Sequence, residues 1–534
     1  MGTQRFYLST PIYYVNDVPH LGHAYTTIAA DAVARFMRQR GVDVFFLTGT
    51  DEHGQKVAQA AARRGVSEQE HCDELHRNFK QLWGRLGISH DAFIRTTDPE
   101  HKEQVRDALQ RLYDDGQIYE QDYEGWYDVS QEMFVTDAEE IERLKQDGNV
   151  ERVRESNYFF RMSAFQNDLV EAIDSGALRI RPETRKNEVL GFLRQPLGDL
   201  SISRPKSRLG WGIELPFDPE HVCYVWVDAL LNYCTALRYL NPGSPAADST
   251  YAPFWPADYH LIGKDILTTH SVYWTTLLMA LDLPLPRNIF AHGWWTVEGQ
   301  KMSKSIGNVV DPNRLIDEFG ADPLRYYVLR QMPFGQDGDF AAEALVERIN
   351  SDLANDLGNL ASRVLNLVER DGGAFAVEPP PTPAAADLLR RFEDMVPEYE
   401  AQLGNLQFSA ALRTLWASIG AANKLIQDTE PWQLRKNREG DPEAGALYDA
   451  VMVACGNVLK SIAVLLAPVL PGKMQQLWGS LGETTRLDDF RYEGDQRLLH
   501  VGSGPGVDKG EMLFPRIDAK QVRSFSERAR EIDP

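Results

Sequence analysis

A chain of 534 residues, 43% hydrophobic and 25% charged, has the composition of a soluble globular protein and is long enough for two to four domains, each with its own core. With 78 Asp and Glu against 56 Lys and Arg the formal net charge is -22, which excludes non-specific polyanion binding, because counterion release needs clustered cations. No run approaches a membrane span, the start MGTQRFYLST is not a leader, and Cys72, Cys223, Cys234 and Cys455 form no Cys-x-x-Cys pair; the reading is a cytoplasmic protein with buried thiols and no membrane contact.

Arg5 to Tyr14, RFYLSTPIYY, reads as a mostly apolar strand. LGHAYTTIAADAVARFMRQRG then shows helical periodicity closed by Gly41, and VDVFFLTGT follows as a second strand. This spacing predicts a βαβ unit that opens a doubly wound parallel sheet, with ligands beyond the carboxyl ends of the strands, where Thr10, Asn16, His20 and Asp51 fall. From about Gly116 to Cys223 the alternation lapses, as in an insertion. Within it RIRPETRKNEVLGFLRQPLGDLSISRPKSR, Arg179 to Arg208, is cation-rich and reads either as a solvated loop surface or as a local patch for a polyanion.

Alternation resumes with HVCYVWVDALLNYC, then YHLIGKDILTTHSVYWTTLLMALDL, then the short strand NIFAHGWWTV, so the sheet is split in two. Beyond about Phe340 the signal is helical. Leu353, Leu357, Leu360, Val364 and Leu367 share one face, Phe408, Leu412, Leu415 and Ile419 repeat the pattern, and VEPPPTPAAAD breaks it because successive prolines cannot continue a helix. A C-terminal helix bundle is predicted, with SFSERAREIDP as a short final helix.

Two short motifs carry the chemistry. His20, Gly22 and His23 stand at the mouth of the first helix. Metal ligation lacks a third ligand at a recognisable spacing, and a purely structural pair is the usual fate of such residues. The third reading is phosphate handling, with Gly22 admitting a nucleotide, helix N–H groups pointing at it and imidazoles donating to phosphate oxygens; position after a strand favours it. Far downstream, EGQKMSKSIGN places Lys301, Ser303, Lys304 and Ser305 in a cationic loop before a helix expected to begin at Asp311 and Pro312, an N-cap residue and a first-turn proline.

Together HLGH and KMSKS resemble the two signatures of the class I aminoacyl-tRNA synthetases. STPIYYVNDVPHLGHAYT, TGTDEHGQKV, YVWVDALLNY, LIGKDI, FAHGWW and NDLGNLASR are similar to the methionyl-tRNA synthetase family in particular, over nearly the whole chain from Phe6 to Asp518. The resemblance implies an α/β fold, a split Rossmann-type parallel sheet with an inserted connective domain, followed by an α-helical anticodon-binding bundle. The implied division is 1–115 and 223–300 for the two sheet halves, 116–222 for the insertion, 301–345 for the KMSKS loop and linking region, and 346–534 for the bundle.

It also implies an ATP-dependent ligase that makes methionyl-adenylate and passes methionine to methionine tRNA, initiator and elongator alike, with Mg²⁺ accompanying ATP. His20, His23, Lys301 and Lys304 match the reactive positions. Asn16, Gly22, Gly263, Asp265 and Lys304 match the nucleotide site, with Asp265 suited to accept from ribose hydroxyls. Asp51 can pair with the α-ammonium of methionine, and Ile12, Tyr14, Trp226, Ala229, Tyr233 and His292 match its pocket. Apolar contact separates neighbouring side chains by only ~1–3 kcal/mol per methylene, so hydrogen bonds to the thioether from Tyr14 or His292 are expected to matter. Asn359, Arg363 and Trp432 match the anticodon face.

Where many relatives carry zinc knuckles of Cys-x-x-Cys pairs, this chain reads EGWYDVSQEMFV, with Asp128 and Gln131 in place of cysteines. No structural zinc is therefore expected. The insertion is too short for the editing domain of the leucyl, isoleucyl and valyl enzymes, and the chain ends soon after the bundle, which points to a monomer. Three rival readings are a cysteinyl or leucyl enzyme, a nucleotidyltransferase sharing His-x-Gly-His, and an inactive tRNA-binding protein. The long helical region argues against the second, and His20, His23, Lys301 and Lys304 against the third.

Overall fold

The computed structural model describes residues 4–16, 18–128, 133–135, 138–146, 150–240, 251–302, 308–494, 496–504 and 506–518. Gln131, the stretch 303–307 with Ser303, Lys304 and Ser305, and the C-terminal SFSERAREIDP lie outside the described residues.

Six strands form one parallel sheet: β1 (Arg5–Tyr14), β2 (Asp43–Asp51), β3 (Ala92–Arg95), β4 (Arg179–Arg181), β5 (Tyr259–Gly263) and β6 (Asn288–His292). Their spatial order is β3-β2-β1-β5-β6-β4. β1 and β5 lie side by side, so the winding direction reverses between them. That reversal opens a crevice beyond their carboxyl ends. Strands buried on both faces alternate between two cores. Phe6, Leu8, Val44 and Phe46 pack toward the C-terminal helices, whereas Tyr7, Phe45 and Leu47 pack toward the insertion.

Two details differ from the sequence reading. The edge strand β4 comes from inside the stretch read as the insertion, and it docks beside β6 through Ile289↔Ile180. The strand in HVCYVWV, Asp218–Cys223, joins a small antiparallel sheet with 214–215 and 203–205, not the parallel one. Alternation of strand and helix marks local structure, but it does not say which sheet a strand will join. The insertion itself is built on a long antiparallel pair, Ile118–Asp128 with Val150–Phe160.

Half of the eight cations of the Arg179–Arg208 stretch sit in ion pairs. Arg185 pairs with Glu188, Lys206 with Glu214, and both Arg204 and Arg208 with Glu155.

The helices that matter for the site are α1 (Leu21–Gln39), α2 (Val225–Thr235), α3 (Pro312–Phe319) and α4 (Ala321–Arg330). α3 begins as its sequence predicts, with Asp311 accepting from Asn313 N at 2.8 Å and Pro312 at the first position. The bundle comprises α5 (Asn359–Arg370), α6 (Pro383–Gly404), α7 (Phe408–Thr429), α8 (Pro431–Asn437) and α9 (Pro442–Leu466). Both predicted apolar faces are buried in it. α9 has the length and hydropathy of a membrane span, which the sequence reading missed, but 83% of its apolar window is buried inside the protein.

One buried cation joins these parts. Arg325 on α4 donates to Asp31 Oδ2 of α1 at 2.6 Å, to Leu86 O at 3.1 Å, and to Pro468 O and Val469 O just beyond α9 at 2.8 and 2.9 Å. Burial alone raises the Asp31 carboxyl, but Arg35 and Arg325 outweigh it and hold the group down at about 2.

Candidate active site

A cavity of about 360 Å³ opens in the crevice beyond β1, β2, β5 and β6. Its wall combines residues far apart in sequence: Ile12 and Tyr14 from β1, His20, Gly22 and His23 from the start of α1, Asp51 from β2, Trp226, Ala229 and Tyr233 from α2, and Gly263, Asp265, His292 and Lys301 from the second half. Asn16, expected at the nucleotide, sits on an exposed turn and is not part of this wall. Lys304 lies outside the described residues.

The histidine pair caps its own helix. His20 is the N-cap residue and its Nδ1 accepts from Gly22 N at 3.0 Å, while His23 Nδ1 accepts from His20 N at 3.1 Å. The rings stack with centroids 3.8 Å apart. With both Nδ1 atoms accepting, the network places each neutral ring's proton on Nε2. Burial, then the neighbouring His20, lower His23 well below the usual histidine value, so it stays uncharged. Capping thus accounts for the Nδ1 atoms of both rings, which stand in the cavity wall.

Gly22 has a second reason beside the one its motif suggests. A Cβ there would lie 2.9 Å from His20 Cε1 and 3.1 Å from Nδ1. The glycine makes room for the capping imidazole.

The end of β2 is tied to α2. His53 Nδ1 and Asp228 Oδ2 are 2.6 Å apart, both fully buried, two residues from Asp51 on one side and within the turn that carries Trp226 and Ala229 on the other. Asp51 thus stands as a buried carboxylate at a fixed distance from an aromatic and apolar wall.

His292 lines the cavity, with both of its ring nitrogens already engaged by the protein. Its Nδ1 donates to Gly293 O at 2.7 Å and its Nε2 accepts from Thr26 Oγ1 at 2.6 Å, so both nitrogens are committed. Burial lowers its pKa and keeps it neutral.

The residue that sequence reasoning missed is His270, which lines the cavity beside Tyr233. Its Nδ1 donates to Ile266 O at 2.9 Å, which leaves Nε2 to accept from the Tyr233 hydroxyl at 2.7 Å. Burial holds it neutral, with a pKa lowered to about 4. His270 falls in Thr269–Trp274, a π-helical turn beside the cavity. Such turns recur at functional sites but are not visible in a 3.6-residue pattern.

At the mouth, the Trp294 indole donates to Asp265 Oδ1 at 3.1 Å. β7 (Trp295–Val297) and β8 (Gln300–Lys301) form a hairpin across Glu298 and Gly299, both at positive φ, as a two-residue turn requires. That turn folds Lys301 back toward the cavity.

In the bundle, Asn359 and Arg363 lie one turn apart on α5, Arg363 exposed. Trp432 is 37% exposed in the first turn of α8. Arg435 ties that helix to the end of α5, with Nε 2.7 Å from Asp371 Oδ1 and a bond to Arg370 O.

Residues 6–144 and 142–365 match the family described as tRNA synthetases class I (M), and residues 378–532 match the anticodon binding domain of methionyl tRNA ligase. The methionine–tRNA ligase of Caldanaerobacter subterraneus subsp. tengcongensis is 44% identical over 99% of this chain and 81% of its own length. That of Bacillus subtilis is 43% identical over 97% and 79%. A solved structure of Mycobacterium tuberculosis methionyl-tRNA synthetase in complex with methionyl-adenylate superimposes with a TM-score of 0.89 at 40% identity, covering 96% of this chain and 100% of that one.

Proposed function

The chain belongs to the methionyl-tRNA synthetases of class I and is a methionine–tRNA ligase, and from that premise we propose how its residues divide the work. The carboxylate of methionine attacks the α-phosphate of ATP, a bond forms between them, and the α–β bridge breaks with pyrophosphate leaving. The terminal adenosine of methionine tRNA then takes the methionyl group and AMP departs. No protein nucleophile takes part, so the protein's contribution is positioning and charge stabilisation.

Asp51 receives the α-ammonium. Ile12, Trp226, Ala229 and Tyr233, whose hydroxyl is fixed on His270, enclose the side chain, and Tyr14 presents its hydroxyl to it. His20 and His23 donate Nε2–H to phosphate oxygens, His23 as a neutral group. Asp265 accepts from the ribose, and Gly263 lets the nucleotide lie close. Lys301 and Lys304 supply positive charge as negative charge grows on the bridging oxygen of the leaving pyrophosphate. Mg²⁺ enters with ATP as the counter-ion of its triphosphate; among the described residues no cluster of three His, Cys, Asp or Glu side chains is disposed to hold a metal ion. We assign no structural zinc to the insertion, and Asn359, Arg363 and Trp432 to the anticodon. The protein is read as a cytoplasmic monomer, a state light scattering decides.

One observation carries this assignment. His20, Asp51, Tyr233 and Lys301, drawn from four separate segments, line one cavity of a size for a small amino acid and part of a nucleotide. Pyrophosphate exchange with each of the twenty amino acids tests it. Exchange should depend on methionine alone; equal exchange with leucine or cysteine overturns the pocket assignment.

A further inference from the structure

Two ammonium groups converge on one indole at the mouth of the cavity. Lys264 Nζ and Lys301 Nζ each lie 4.1 Å from the ring centroid of Trp294. The backbone beneath that ring is clamped. A Cβ at Gly293 would sit 2.3 Å from Gln336 O, Trp294 N donates to Asp337 Oδ1 at 2.8 Å, and Gly338 N donates to Trp294 O at 2.9 Å. The ring is also held at its edge, since its N–H is bonded to Asp265. Asp337 completes the set through Lys264, with Oδ2 and Nζ 2.6 Å apart.

We propose that Trp294 is a nucleotide-positioning residue: its ring stages Lys301 at the cavity mouth and its N–H orients Asp265, so that both groups stand ready when ATP arrives. A ring face attracts an ammonium without neutralising it. A carboxylate in the same place would hold Lys301 harder and cancel the field that draws in the triphosphate. Lys264 differs on this point, because Asp337 already neutralises it. Among the described residues Lys301 has no carboxylate within ion-pair distance, so its charge is available to the phosphates. When they bind, Lys301 exchanges a ring face for phosphate oxygens while the strand pairing of β8 with β7 keeps its backbone in place.

This role rests on the assignment of Lys301 and Asp265 to the nucleotide, and the test separates the two claims. Methionine-dependent pyrophosphate exchange is measured on the full chain for Trp294→Leu, Trp294→Met, Trp294→Phe, Lys301→Ala and the double variant Trp294→Leu/Lys301→Ala. Losing the ring should raise KM for ATP about threefold to thirtyfold, the span of a cation–π contact, and leave KM for methionine unchanged. Phenylalanine, which keeps a ring face but not the N–H, should recover most of that loss, and the double variant should exceed Lys301→Ala only by the smaller share that phenylalanine fails to recover, the part carried by the bond to Asp265. The leucine and methionine variants are read together, so that a folding defect in one does not decide the outcome. An unchanged KM for ATP in both, a parallel rise for both substrates, or a phenylalanine variant as poor as leucine overturns the role of Trp294. If Lys301→Ala itself leaves KM for ATP unchanged, the assignment of Lys301 fails instead, and the staging role falls with it.

Discussion

Gly22→Ala should separate activity from stability. The added methyl would start 2.9 Å from His20 Cε1, and ordinary carbon contacts lie near 3.5 Å, so the ring must retreat by roughly 0.6 Å. That movement strains the 3.0 Å bond from Gly22 N to His20 Nδ1, a cap contact worth about 0.5–2 kcal/mol. Replacing a helical glycine by alanine returns up to about 1 kcal/mol. Net stability should therefore change by no more than about 1 kcal/mol. The effect on rate is larger. His20 is to donate to a phosphate at fixed geometry, and losing one preorganised donor costs about 2.7–4 kcal/mol, roughly a hundredfold to a thousandfold in rate. Pyrophosphate exchange and thermal unfolding, measured side by side, decide it. A wild-type exchange rate would show that the His20 ring yields freely or that its position does not matter. The double variant Gly22→Ala/His20→Ala distinguishes two causes: if the glycine acts through His20, adding it to His20→Ala slows exchange no further.

Lys304→Ala should slow adenylate formation about a hundredfold to a thousandfold with methionine affinity unchanged; a wild-type exchange rate moves the role to Lys301. Trp432→Ala should weaken tRNA aminoacylation about tenfold, in keeping with the ~1–3 kcal/mol of base–aromatic stacking, while exchange, which needs no RNA, stays intact. Equal loss in both assays, or a lowered melting temperature, would show that the indole holds the bundle together. Elemental analysis after dialysis should find no stoichiometric zinc, and one zinc per chain with activity lost to chelators refutes that reading of the insertion. His101 and His270 are held neutral by burial, with pKa values lowered from 6.5 to about 4. Below 6.5 the unfolded chain binds more protons than the folded one, so stability is full above that pH and falls toward 4, by about 2 kcal/mol for each histidine at pH 5. A urea midpoint that is flat between pH 7 and pH 5 contradicts this.

Much of the site was legible because its parts are short motifs with fixed local structure. His20 at an N-cap, Asp51 at a strand end and Asp311-Pro312 at a helix start obey rules that act within a few residues. What escaped notice depends on distant geometry. His270 sits in a π-helical turn, and that turn leaves no periodic signature. The engagement of both His292 nitrogens depends on Thr26, 266 positions away in sequence. The same holds for the edge strand β4, whose three residues carry almost no pattern and whose place is set by the neighbour it meets, β6. Gly22 is instructive in another way: the nearest object to its missing side chain is the ring of His20, a contact that the motif did not announce.

The precision asked of His20 and His23 has a source well outside the cavity. α1 is held along its length by the bundle. Asp31 receives the buried Arg325, whose other bonds reach carbonyls beyond α9. At its far end Gln39 Nε2 donates to Val464 O at 2.8 Å, Tyr492 N donates to Gln39 O, and Arg40 pairs with Glu400 of α6. A charge with no exposure and four acceptors is not an isolated stabiliser; removing one partner from such a pair costs about 3–5 kcal/mol. Its value here is geometric. The apolar flank of α1, from Leu21 to Phe36, belongs to the same continuous core as Leu353, Leu412 and Leu459. The helix whose two imidazoles we assign to the phosphates is therefore bedded in the domain assigned to the anticodon, and the sheet half of the molecule has no separate core on that face.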